Sequence, residues 1–219
     1  MSGGPLRRRA HEAQQRFFAW LMAGMAVRYD QALGDRKRAL LGSTEGTVLE
    51  IGPGTGTTLS YLPPQVRWIG LEPNEAMHGP LRRQAQRLGR TIELRRGFAH
   101  DTGLPDRSVD AVFSSLVLCS VREVERTLAE LYRVLRPGGQ LIVLEHVAAP
   151  RGTWLRRVQA LARPSWVRLF DNCHPDRETA AAIEAAGFVN LRLESIRGPL
   201  PIPVIRPHII GTAARPLDA

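Results

Sequence analysis

From residue 47 onward, short β-rich runs alternate with amphipathic helical stretches, and this alternation restricts the possible folds more than any other feature. The runs "TVLEI" (47–51), "VRWIGLE" (66–72), "TIELRR" (91–96), "VDAVFSSLV" (109–117) and "QLIVLEHV" (140–147) read as strands bounded by Gly, Pro or Asp. Between them, "NEAMHGPLRRQAQRLG" (74–89) and "REVERTLAELYRVLR" (122–136) space their apolar residues by three and four, as helices do. In the second helix Val124, Leu128, Leu131 and Leu135 mark one buried face. The reading is an α/β fold, an open and mostly parallel Rossmann-like sheet with helices on both faces.

The last third is less regular. "WLRRVQALARPSWVRLFDNCHPDRET" (154–179) has a proline in mid-run, which predicts a short helix, a loop and the start of another helix. "ETAAAIEAAGF" predicts a helix ending at Gly187, and "VNLRLESI" and "HIIGTAAR" predict two final strands joined by a proline-rich connection. No internal repeat or linker interrupts the chain. Residues 1–45 read as a helical cap or lid segment, and residues 46–219 as one domain with a substrate-side insertion around 148–178.

A chain of 219 residues buries a substantial core, and 43% apolar with 23% charged residues is ordinary for a soluble globular protein. The net charge of +9 is carried by arginine, since Lys37 is the sole lysine. No basic run interleaves with aromatics and no nucleic-acid motif appears, so no nucleic-acid partner is expected. Cys119 and Cys173 form no CxxC pair, which suits a reducing, cytoplasmic compartment. "FFAWLMAGMAV" (17–27) is too short to span a bilayer and lacks a signal-peptide cleavage site. Phe17, Leu21 and Met25 recur every fourth residue, so it reads as an amphipathic helix packed on its own domain. Peripheral membrane contact through that helix is the alternative.

The segment "LEIGPGTGTT" (49–58) carries the first functional signal. Gly52, Gly54 and Gly56 follow a buried strand, and without side chains they let the backbone turn tightly against a ligand. Glu72 ends the next strand, where an acid accepts hydrogen bonds from the ribose hydroxyls of an adenosine. The spacing is G-x-G-x-G, not the G-x-G-x-x-G that seats a pyrophosphate. Glu50, directly before the loop, suits a cationic amino group better than a pyrophosphate. An adenosine bearing an ammonium and a sulfonium, as in S-adenosylmethionine, fits these residues. A nicotinamide-dependent oxidoreductase is the rival reading, and the absence of a Tyr-x-x-x-Lys pair also counts against it. A binding protein of the same fold without turnover is a third.

With "LEIGPGTG", "LEPNEAM", "LPDRSVDAVFSSLVLCSV" and "RVLRPGGQLIVLEHV" in that order and spacing, the chain resembles the class I S-adenosylmethionine-dependent methyltransferases. The resemblance implies a seven-stranded sheet with the last strand antiparallel. It also implies a cofactor site in which Glu72 holds the ribose, Pro73 and Met77 line the adenine, and Gly52, Pro53, Gly54, Gly56 and Thr57 face the methionine part with Glu50. Ser115 and Leu116 complete that site, and Tyr29 matches a tyrosine that often closes over the cofactor. Many relatives carry an acid after the third strand to meet the adenine amino group, whereas this chain reads "GFAHD". Phe98 is then expected to pack on the adenine, with Ala99 N–H, His100 or Asp101 as alternatives for the polar contact. Downstream, "LVLCSV", "EHVAAP", Trp154, "FDNC" with "RET", and "VIRPHIIGTA" resemble the animal microsomal thiol methyltransferases and their bacterial relatives. That narrower resemblance implies a small, apolar thiol acceptor and S-adenosylhomocysteine as product. A phenol, quinone or lipid amine is the alternative acceptor.

Methyl transfer from a sulfonium needs an aligned, dry nucleophile, and a thiol is only a few per cent ionised at neutral pH. His146, at the end of the fifth strand, is the first candidate for general base, with a purely structural histidine as its alternative. Asp171 can orient His146, deprotonate the acceptor itself or cap a turn. Cys119, Cys173 and His174 join them as candidate substrate contacts, and His208 reads as structural. A zinc site on Cys173, His174 and His146 lacks a fourth ligand and any ligand spacing, so no metal is assigned from the sequence.

Overall fold

The computed structural model describes residues 24–218. Within them, seven strands form one sheet: β1 (Thr47–Ile51), β2 (Arg67–Leu71), β3 (Glu93–Arg95), β4 (Val109–Ser115), β5 (Leu135–His146), β6 (Val189–Arg197) and β7 (Pro207–Ala214). Their order is β3-β2-β1-β4-β5-β7-β6, with β1 to β5 parallel and β7 antiparallel to both of its neighbours. The expected fold is therefore the observed one, including the inverted last strand.

Along β1 the side chains alternate between two apolar layers, Leu49 and Ile51 on one side and Val48 on the other. The first layer is closed by α3 (Val124–Val134) and α5 (Thr179–Ala185), through Leu128, Leu131 and Ile183. The second is closed by α2 (Glu75–Arg87) through Leu81 and Ala85, and by α1 (24–41) through Leu41. Sheets buried on both faces must read as near-continuous apolar runs, as "TVLEI" and "LIVLEHV" do.

On α1, Tyr29, Leu33, Lys37 and Leu41 recur every fourth residue and are all buried, so one stripe of the helix faces the molecule. The charge in that stripe is met by Asp30, 3.1 Å from Lys37 Nζ. Phe17 and Leu21 of the predicted amphipathic segment lie outside the described residues. Among the described residues no helix is long and apolar enough to cross a membrane.

Two segments differ from the expectation. The fifth strand, read as starting at Gln140, begins at Leu135, with Arg136–Gly139 as a bulge within it: Val109 pairs with Leu135 and Ala111 with Gln140. Residues 154–169, read as a broken helix, form a single helix α4 (Trp154–Leu169) that runs through Pro164. Pro164 and Ala160 are both exposed, so the helical bond that the proline removes is lost on the solvent side of the helix. The Thr153 side chain accepts from Arg156 N and fixes the helix start. What anchors α4 is polar: Gln159 is fully buried, accepts from Ala149 N at 2.7 Å and donates to the carbonyls of Val147 and Val204.

Candidate active site

All four central parallel strands, β1, β2, β4 and β5, end on the same edge of the sheet. The order reverses between β1 and β4, and ligands in such sheets bind outside the strand ends at that switch point. The loops that emerge there carry nearly every candidate residue.

The glycine loop follows β1. Gly52, Gly54 and Gly56 all have positive φ, which side-chain-bearing residues avoid. A Cβ on Gly52 would lie 2.5 Å from Val117 Cγ2, so this loop and the one after β4 touch. A Cβ on Gly54 would meet nothing within 4 Å, so the loop is open on that side. Gly56 N donates to Pro53 O to close the turn, and Thr57 begins a short 3₁₀ turn. Glu72, after β2, is buried and spans the opening: its carboxylate accepts from Gly54 N at 3.0 Å and Asn74 N at 2.9 Å. Burial pushes its pKa up, against those two backbone bonds. Glu50 is buried on β1 and accepts from the Trp68 indole at 2.9 Å. Burial raises it to about 7, with Trp68, Thr58 and Lys37 pulling the other way. Two desolvated carboxylates thus flank an open, glycine-walled cradle. That is a fit for a ligand with a ribose diol and a cationic end, and a poor one for a pyrophosphate.

The second group lies beyond β4 and β5. His146 Nε2 is 3.0 Å from Cys173 Sγ, which also accepts from Trp166 Nε1 at 3.2 Å. Cys119 joins them, and the ligating atoms of Cys119, His146 and Cys173 all lie within 4.8 Å of one another, every one buried. A hydrogen bond from Cys119, with help from His146 and Trp166, holds Cys173 well below the ordinary thiol range although burial opposes it. Burial drives Cys119 the other way. Tyr29 closes one side: its hydroxyl meets His208 Nε2 at 2.9 Å, and burial raises it far above an ordinary phenol.

Bonds away from the sulfurs hold this bay together. Asn172 donates to Ser120 O at 2.8 Å, His174 N to Cys119 O at 2.8 Å, and Arg177 to the carbonyls of Leu118 and Val121. Asp171 and Asn172 are consecutive left-handed residues, at φ 46° and 62°. Such strain persists where the surroundings enforce it and tends to mark functional turns.

The structure brings Cys119 and Cys173 to His146 and leaves three other candidates elsewhere. Asp171 is exposed and does not orient His146, whose Nε2 is taken by Cys173; the Asp171 charge is felt at Glu72 instead. His174 is half-buried, and only its backbone joins the bay. Phe98 is 61% exposed and stacks on His100, while Ala99 packs against the core. Met77 is buried on α2 beyond Pro73. Ser115 ends β4, and Leu116, at φ 59°, donates its N–H to Leu144 O. Glu145 was missed as a site residue. It is fully buried, and accepts from Ser114 Oγ at 2.6 Å and from the backbone N–H groups of Val117, Leu118 and Cys119. An acid inside the apolar run "LIVLEHV" was its signal, because a buried carboxylate must be satisfied by nearby donors. Trp166 gave no such signal, since an aromatic on a helix is ordinarily core.

A methyltransferase-domain family profile matches residues 49–143. The fold is shared with a [4+2]-cyclase, SpnF, at TM-score 0.70 and 19% identity over 85% of this chain and 81% of that one. It is also shared with an S-adenosylmethionine-dependent methyltransferase from Methanosarcina mazei, at TM-score 0.62 and 18% identity over 78% and 93%. One fold hosting a cyclase and methyltransferases leaves the decision to the sequence. The chain is 35% identical to human thiol S-methyltransferase TMT1A over 92% of its length and 87% of the relative's. Human TMT1B is 34% identical over 91% and 86%. Those matches run from the glycine cradle through the sulfur-lined bay, and by them the protein belongs to the thiol S-methyltransferase family of S-adenosylmethionine-dependent methyltransferases.

Proposed function

We propose that the protein transfers the methyl group of S-adenosylmethionine to a small apolar thiol, releasing S-adenosylhomocysteine. The observation that carries this reading is the contact between the two loops. The glycine cradle with its buried acids abuts the loop that leads to Cys119, so donor site and sulfur-lined bay adjoin. The sulfonium of the bound cofactor supplies an already activated methyl carbon. Glu72 takes the ribose hydroxyls with the carboxylate lone pairs left over from Gly54 and Asn74. Glu50 lies on the side of the ammonium, and the backbone of Gly52 to Gly56 lies against the methionine part with Thr57 beyond. Pro73, Met77, Phe98 and Ala99 would flank the adenine, and Ser115, Leu116 and Tyr29 would wall the transferring end.

At the acceptor side the chain has to exclude water and present sulfur as thiolate. Buried Cys119, His146 and Cys173 would do the first, and the same cluster is the candidate for stabilising the thiolate. Asp171 is exposed on the strained turn, and its charge is felt at Glu72.

The test is a panel assay with methyl-labelled S-adenosylmethionine over apolar thiols, phenols, quinols and lipid amines, with S-adenosylhomocysteine titrated in parallel. Methylation confined to thiols is expected. Turnover of phenols or amines but of no thiol overturns the acceptor class, and failure to bind S-adenosylhomocysteine overturns the donor.

A further inference from the structure

We infer that Cys119, His146 and Cys173 form a binding site for a soft transition-metal ion, Zn²⁺ first, whose open fourth position takes the acceptor sulfur. The acceptor half of this inference rests on the thiol methyltransferase reading above; the metal half stands on geometry alone.

The three donor atoms lie within 4.8 Å of one another, and one pair, His146 Nε2 and Cys173 Sγ, is at 3.0 Å. Around a tetrahedral Zn²⁺, with bonds of about 2.3 Å to sulfur and 2.0–2.1 Å to nitrogen, such atoms stand about 3.5–3.8 Å apart. The observed spacing brackets that range. The donors come from the end of β5 and from two separate loops, and those loops are tied together by Asn172–Ser120, His174–Cys119 and Arg177–Leu118 bonds that use none of the three donor atoms. The site is thus assembled by the fold, with the strained Asp171–Asn172 turn delivering Cys173.

The surroundings agree with ligation. Trp166 Nε1–H points at Cys173 Sγ, as outer N–H donors do toward a metal-bound thiolate. His146 Nε2 is the ring nitrogen aimed at Cys173 Sγ, and Nδ1 is buried without a hydrogen-bond partner, so Nε2 is the atom that would ligate, with the ring proton carried on Nδ1. The other ligand types nearby are engaged. Glu145 is held by four donors, and His208 by Tyr29 and the Arg206 carbonyl. That leaves three protein ligands and one open position, the arrangement of catalytic rather than structural zinc. Two sulfurs and an imidazole select Zn²⁺ or Cu⁺ over Mg²⁺ and Ca²⁺. The sequence had offered His174 as the third donor; the fold supplies Cys119.

Zn²⁺ held by both cysteines as thiolates and by a neutral His146 gives a neutral centre, and any thiol proton still present is released on binding. An acceptor thiol then coordinates as thiolate, its proton passing to water. Its sulfur attacks the donor methyl carbon, the new carbon–sulfur bond forms, and the old one breaks with its electron pair left on the donor sulfur. The neutral thioether product is a weak ligand and leaves, so the sum is thiol plus sulfonium donor giving methyl thioether, S-adenosylhomocysteine and one proton.

The experiment uses the whole chain, purified without metal-affinity resin, stripped with a chelator and titrated with Zn²⁺ alone or Co²⁺ alone. One equivalent is expected, with a thiolate-to-cobalt charge-transfer band. Cys119→Ser, Cys173→Ser and His146→Ala should each weaken binding at least tenfold while S-adenosylhomocysteine still binds; having three variants covers the loss of any one to misfolding. Stripping should lower thiol methylation at least tenfold and Zn²⁺ should restore it. No charge-transfer band, or binding unaffected by all folded variants, overturns the site. A band with an unchanged rate after stripping overturns the acceptor role. Loss of S-adenosylhomocysteine binding with no thiol methylated at any metal content instead sinks the methyltransferase reading.

Discussion

Glu50 shows how one side chain trades stability for binding. Its carboxyl is raised by burial from 4.5 to about 7, so the folded state holds this proton more tightly than the unfolded chain. The stabilisation that proton brings is fully present below about pH 4.5 and drains away as pH rises toward 7. By pH 8 the ionised, buried carboxylate costs the free protein about 3 kcal/mol, at about 1.4 kcal/mol per pKa unit. Glu50→Gln removes the charge and can still accept from Trp68. Urea unfolding at pH 8 should therefore find it more stable than the parent by up to about 3 kcal/mol, with the gap nearly closed at pH 5. Titration calorimetry should show its affinity for S-adenosylhomocysteine reduced about tenfold, because the ammonium loses its counter-charge.

The cradle's glycines separate space from strain. Gly54→Ala puts a methyl into open room and pays only for left-handed backbone, about 1–2 kcal/mol, yet that methyl stands where a ligand must lie. It should unfold cooperatively and lose most cofactor affinity. Gly52→Ala adds the collision with Val117 and should cost about 2–4 kcal/mol in urea unfolding, disturbing both loops. The glycines, Glu50 and Glu72 could be read from the sequence because a turn, a close approach and a strand end each demand a particular residue type. Glu145 could not be assigned so directly, since the donors that satisfy it come from the end of β4 and the loop after it, 26–31 residues away.

Among the elements, β1, β2, β4 and β5 with α2, α3 and α5 follow from apolar periodicity, because each buries a regular face, whereas β3 is half-buried throughout. α4 does not follow from periodicity. Trp154, Leu161 and Leu169 are 69–85% exposed, Trp166 is half-buried beside Cys173, and a buried glutamine holds the helix to the domain. No periodic stripe announces such a helix, and Pro164 argued against it. Gln159→Ala would leave the Ala149 N–H and the Val147 and Val204 carbonyls without partners, at about 1–3 kcal/mol for each group that stays dry. Urea unfolding should show a loss of at least 2 kcal/mol. Because α4 delivers Trp166 and the turn before Cys173, thiol methylation should fall further than S-adenosylhomocysteine binding does.

At the scale of the molecule, chain order and spatial order part company at the end of the sheet. β7 is the last strand in sequence yet sits between β5 and β6, pairing with both. Until it is in place, β6 has no partner in the sheet and the inner edge of β5 is open. β7 also carries His208, which braces Tyr29, and buries Ile209 and Ile210 in two different apolar layers. The seven-stranded architecture was readable from the order of the runs, but this dependence emerges only from the pairing. A chain ending at Arg206 retains every residue of the cradle and the sulfur-lined bay, so a modular site would survive the truncation. The sheet order says otherwise. The shortened chain should show no cooperative urea transition, be cleaved by trypsin within the β6 region and fail to bind S-adenosylhomocysteine. A cooperative transition with retained binding would mean that β1 to β5 fold and function without the inserted strand.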